Sequence, residues 1–77
     1  MPAIRPVSFK VLKCVFEGDG FRCVREEVDH LIFTKPGVIR PVVIPRYHAI
    51  PVFIIKNNLR TAQMSRDRYF ELLAKCG

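Results

Sequence analysis

Two histidines, His30 and His48, are the side chains of this sequence best suited to move a proton near neutral pH. RNA offers a reaction that needs little more. A base takes the proton from a ribose 2′-hydroxyl, and the freed oxygen attacks the adjacent phosphate. A cation steadies the charge that grows there, and an acid protonates the departing 5′-oxygen. One histidine with two or three Arg or Lys suffices, without a metal or cofactor. His30 follows the polar hinge Glu26 to Asp29, and Arg25 lies five residues earlier, across an expected hairpin. That spacing places a histidine at a sheet's end, flanked by cations. The competing reading is a structural or merely exposed histidine at a strand start.

His48 stands in Pro45-Arg46-Tyr47-His48. Here Arg46 could contact phosphate and Tyr47 could stack on a base, the usual pairing for single-stranded RNA. The alternative is a solvated loop whose Tyr47 ring folds back on the core. Lys35, Lys56 and Arg60 extend the set of candidate RNA contacts. No ligand spacing joins His30, His48 and a cysteine, so no metal site is expected. Cys14, Cys23 and Cys76 are odd in number and form no C-x-x-C pair. They read as small thiols kept reduced in a cytosol, neither a disulfide framework nor nucleophiles.

The elements that must position these residues follow from periodicity. Residues 1–7 carry two prolines and read as an extended lead-in. Ser8 suits a helix N-cap, and Phe9, Leu12, Val15 and Phe16 recur at helical spacing until Gly18-Asp19-Gly20. Phe21 to Arg25 alternates like a strand. His30 to Lys35 is the strongest β segment, Pro36-Gly37 a turn, and Val38 to Ile44 a third strand with Pro41 at an edge or start. After a loop from Pro45 to Ile50, Pro51 opens a second helix. Val52, Ile55, Leu59 and Ala62 form its buried stripe. Ser65 caps a short last helix with Tyr69, Leu72 and Leu73 inward. The expectation is one α+β domain over residues 1–77. It is a two-layer sandwich with a three-stranded antiparallel sheet and helices on one face, in the order α-β-β-β-α plus a short C-terminal helix. By analogy, that is the arrangement of double-stranded-RNA-binding domains.

With 77 residues and a net charge of +6 (sequence pI about 9.7), the chain has room for one modest core and a surplus of cations. Such a surplus attracts polyanions, although it also serves solubility alone. No apolar run is long enough to span a bilayer and no leader is visible, so the cytoplasm is the expected compartment. Val24 and Ile32 leave apolar groups on the sheet face away from the helices. That pattern suits a protein partner or scattered surface aliphatics.

Gly20-Phe21, Arg25, His30 with Ile32-Phe33, and Val43-Ile44-Pro45 together resemble the core pattern of the HicA (YcfA-like) toxin family. Val52 to Met64 and Ser65 to Leu73 resemble that family's closing helices. The likeness runs from Val7 to Leu73. It implies a double-stranded-RNA-binding-like fold and an mRNA interferase. It also implies a catalytic histidine at His30 and a HicB-like antitoxin over the active face. The family's Gly-Ser-His triplet departs here to Val28-Asp29-His30, which removes backbone freedom and sets a carboxylate beside the histidine. The later histidine is shifted, with Tyr47 before His48. The expectations are therefore two. One is a toxin-type endoribonuclease that cuts mRNA with His30, with Arg25, Lys35, Arg46, Tyr47, His48, Lys56 and Arg60 on the RNA. The other is a non-catalytic RNA- or protein-binding module. Oligomeric state is left open.

Overall fold

The computed structural model describes residues 3–76. Met1 and Pro2, the start of the expected lead-in, and Gly77 lie outside them. Helix α1 spans Phe9–Gly18. Ser8 caps it, its hydroxyl accepting from the Val11 amide at 3.4 Å. Leu12, Val15 and Phe16 form the buried stripe. The helix stops at Asp19, and Gly20 turns the chain with φ +93°, a conformation open to glycine. The Phe21 amide then donates to the Phe16 carbonyl at 3.0 Å, and the two rings meet edge to face at 5.3 Å. Phe21 is thus spent on closing the helix. The first strand therefore begins one residue later than its alternation suggests.

Strands β1 (Arg22–Glu26), β2 (His30–Thr34) and β3 (Val42–Pro45) form one antiparallel meander, β1-β2-β3. In β2, Leu31 and Phe33 are fully buried while His30, Ile32 and Thr34 are half-exposed. That alternation defines a core face and an open face. Val42 and Ile44 of β3 join the core face. The third strand is shorter than expected: residues 35–41 form a loop closed by the Val38 amide on the Lys35 carbonyl. Pro36 and Pro41 have no amide to give a ladder, and Gly37 takes φ +88°. Ile39 and Arg40 consequently swing into solvent.

The β1–β2 ladder slips by one residue. Cys23 faces Phe33, but Arg25 faces Ile32, so Val24 is bulged out. Strict alternation from Cys23, which packs on the core, would have turned Arg25 inward. The bulge returns Arg25 to the open face and leaves Val24 58% exposed.

Helix α2 spans Val52–Thr61, with Pro51 at its cap. It ends three residues before the expected Met64. The Met64 amide reaches back to the Leu59 carbonyl and the Gln63 amide to that of Arg60, so Gln63 is left-handed at φ 56°. Helix α3, Arg66–Cys76, starts with the Ser65 hydroxyl accepting from the Arg68 amide at 3.1 Å. It is a correction to the short helix expected. Ala74 and Lys75 are good helix formers with no breaker before them, so three full turns form. Helices α1 and α2 contact the sheet, and α3 contacts α1.

Two cross-links tie the ends together. Asp19 accepts from Lys35 at 3.4 Å and from Arg68 at 3.0 Å, so one carboxylate joins the end of α1 to the loop after β2 and to α3. Arg68 also meets Glu71, and these two partners, Asp19 first, hold its guanidinium even more firmly charged than usual. The second is a disulfide between Cys14 and Cys76, Cα atoms 5.9 Å apart. That corrects the reading of all three cysteines as reduced thiols. Sequence spacing shows no pattern because the bond joins facing positions on two helices 62 residues apart. Cys23 remains a free thiol. Among the described residues no helix is long and apolar enough to cross a membrane.

Candidate nucleic-acid interface

Val28 and Asp29 form the tip of the β1–β2 hairpin, where the Glu27 amide donates to the His30 carbonyl at 2.8 Å. The third strand braces this tip. The Arg46 amide donates to the Asp29 carbonyl at 2.9 Å, and His30 stands opposite Pro45. His30 is therefore held from both sides at the end of the central strand, on the open face. Its Nδ1 lies 2.7 Å from Asp29 Oδ1. The hydrogen bond from His30 is the main cause holding the Asp29 carboxyl below its ordinary value of 3.8, so that group is ionised at neutral pH. An ionised carboxylate only accepts, so Nδ1 carries the proton. In that tautomer Nε2 is the ring nitrogen with a free lone pair. This is the arrangement a general base requires.

The flanking cations are paired with carboxylates. Arg25 pairs with Glu27 at 2.5 Å. Arg46 is clasped three ways: to Glu26 at 3.1 Å, to the Glu27 carbonyl at 3.0 Å, and over the Phe9 ring at 5.5 Å. The hairpin end that carries the histidine thus bears three carboxylates and two guanidiniums paired among themselves and with His30. Lys35 lies at the far end of β2, on Asp19 and above the Phe21 ring. Tyr47 is half-exposed and His48 exposed, with the loop pinned by the Phe9 amide on the Tyr47 carbonyl. The Tyr47 ring is not folded into the core.

The open face has a register that can be read in rows: Arg22 with Thr34, then Arg25, Ile32 and Val43, then His30 with Pro45. Its middle row is apolar apart from Arg25. Among the described residues no group of three or more His, Cys, Asp or Glu is placed to hold a metal ion.

A second cationic surface lies on α2. Lys56 and Arg60 are exposed, as are Asn57 and Phe53, the last by 72%. Among the described residues neither cation has an ion-pair partner, and neither does Arg40 in the loop between β2 and β3. The sequence does carry a signal for this surface, in its charge distribution: from Leu31 to Arg66 there is no carboxylate and there are six cations. The other seven cations are matched by all seven acids, so that stretch holds the whole +6 excess. Arg40, absent from the expected set, is found by the same observation, whereas Asn57 and Phe53 carry no charge signal and are placed on this surface by the fold.

No family model matches the chain, and no significant match is found among curated proteins or solved structures.

Proposed function

We propose that this chain is a toxin-type endoribonuclease that cuts mRNA without a metal. The observation that carries the reading is His30, partly exposed on the open sheet face, with Nδ1 held by Asp29 at 2.7 Å. The α-β-β-β-α order and the motif likeness to HicA toxins, with its double-stranded-RNA-binding-like arrangement, agree with it. In the reaction, Nε2 takes the proton of a 2′-hydroxyl. The 2′-oxygen attacks phosphorus, the P–O5′ bond breaks, and the proton passes to the departing 5′-oxygen. The products are a 2′,3′-cyclic phosphate and a 5′-hydroxyl. Asp29 stabilises the imidazolium formed in between. The apolar row of Ile32 and Val43 beside His30 suits a HicB-like antitoxin that would cover the site.

One observation favours a second reading, a module that binds RNA without cutting it. Glu26, Glu27 and Asp29 repel phosphate from the neighbourhood of His30, while the free cations lie on α2. Purified protein incubated with RNA in EDTA, beside His30→Ala, separates the two. Cleavage by the wild type alone supports the ribonuclease. RNA bound at low salt and cut by neither protein supports the binding module.

A further inference from the structure

The loop that carries Ile39 and Arg40 and the last turn of α2 enclose a cleft of about 670 Å³. Its walls are Ile39, Arg40, Asn57, Arg60, Thr61 and Gln63. Two arginines line it and no acidic residue does. Asn57 and Gln63 add amide donors. The Thr61 hydroxyl is already committed to the Asn57 carbonyl at 3.0 Å. The neighbouring depression, which shares Gln63, also holds Lys35 and Arg68. There, both cations are paired with Asp19. Of the cations lining these two depressions, those without an ion-pair partner are Arg40 and Arg60.

We infer that this cleft seats a backbone phosphate of single-stranded RNA, as an anchoring subsite separate from His30. The inference rests on the RNA-acting reading of the chain. Guanidinium forks and amide donors match phosphate oxygens. The same helix supplies the other half of single-strand recognition. Phe53, Lys56 or Asn57, and Arg60 follow one another at helical spacing, so an exposed ring stands on the face that carries the cations. An acidic peptide would use the cations and leave Phe53 without a purpose. Strand β2 separates the hairpin tip from this loop by about 14 Å, at about 3.4 Å per residue. The subsite therefore grips RNA away from the bond cut at His30. It governs affinity and leaves the chemical step alone.

The test uses the whole chain and a short, uncleavable 2′-O-methyl RNA in EDTA, with affinity measured over a range of salt. Arg40→Ala/Arg60→Ala is expected to weaken binding about tenfold. Its salt dependence should flatten by about 0.7 in slope for each phosphate left without its cation. Lys10→Ala/Lys75→Ala removes the same charge from exposed positions elsewhere, and should change affinity less than twofold. Both pairs are exposed, and an unchanged circular-dichroism melt verifies the fold. Equal weakening by the two pairs overturns the subsite in favour of diffuse charge. Unchanged binding by Arg40→Ala/Arg60→Ala overturns the subsite and leaves the RNA reading standing. No binding by the wild type overturns both. A poly-glutamate peptide that binds as tightly, with the same dependence on Arg40 and Arg60, overturns it in favour of a protein partner.

Discussion

His30 Nδ1 and Asp29 Oδ1 lie 2.7 Å apart at an exposed hairpin tip, so neighbours in sequence form the one histidine–carboxylate pair among the described residues. The bond lowers the Asp29 pKa, and its sign fixes the pH behaviour. The contribution of Asp29 is fully present above the ordinary carboxylate range and is lost as pH falls through the lowered value. Carboxyl NMR titration should place the Asp29 midpoint below 3.8. In His30→Ala it should rise toward the ordinary carboxylate value, the backbone hydrogen bond keeping part of the shift. An unmoved midpoint would mean that the pair does not form in solution.

If His30 is the base, Asp29→Asn should slow RNA cleavage about tenfold by withdrawing the charge that steadies the imidazolium. His30→Ala should cost about a hundredfold or more. Initial rates on a fluorogenic RNA measure both. Faster cleavage by Asp29→Asn would show that the carboxylate acts chiefly by repelling phosphate.

Gln63 holds a left-handed backbone at the end of α2, a conformation that favours glycine. Gln63→Gly should stabilise the fold by about 0.5–1 kcal/mol, after allowing for glycine's greater unfolded entropy. Thermal melts should show a rise of a few degrees, and a fall would assign the Gln63 side chain interactions that outweigh its strain.

The Tyr69 ring is fully buried and its hydroxyl has no hydrogen-bond partner among the described residues. Burial also raises its pKa. Removing only that oxygen deletes an unsatisfied group, so Tyr69→Phe should be neutral or stabilising by up to about 1 kcal/mol. Tyr69→Ala should cost about 3–5 kcal/mol. Urea unfolding of both variants checks this. A large loss in Tyr69→Phe would reveal a buried water on the hydroxyl.

The Cys14–Cys76 bond closes a loop of 62 residues. The loop-entropy argument gives about 4 kcal/mol of stability for a loop of that size. Denaturation with and without dithiothreitol should show the loss, and Cys14→Ser should match the reduced wild type. Equal midpoints would mean that α1 and α3 hold together without the bond.

Strand and helix identities, the Ser8 and Ser65 caps, most of the core stripes (Val52 and Leu73 are only half-buried) and the place of His30 at the head of the central strand were legible in the sequence. Each depends on neighbours a few residues apart: a period of two or about four, or a cap hydroxyl three residues from its amide. The acid-free stretch from Leu31 to Arg66 was equally legible, because net charge needs no coordinates. What required the tertiary structure was every relation between distant segments. Cys14 meets Cys76 because α3 packs on α1. Arg25 escapes the core because Val24 bulges where two strands pair out of step. Arg25, Lys35 and Arg46 were sequence candidates for phosphate, yet folding gives each a carboxylate. Arg40 and Arg60, 20 residues apart in sequence, share one cleft without any carboxylate in its walls. A side chain's type fixes the charge it carries. Whether that charge is spent inside the fold or offered to a ligand depends on what long-range packing brings beside it.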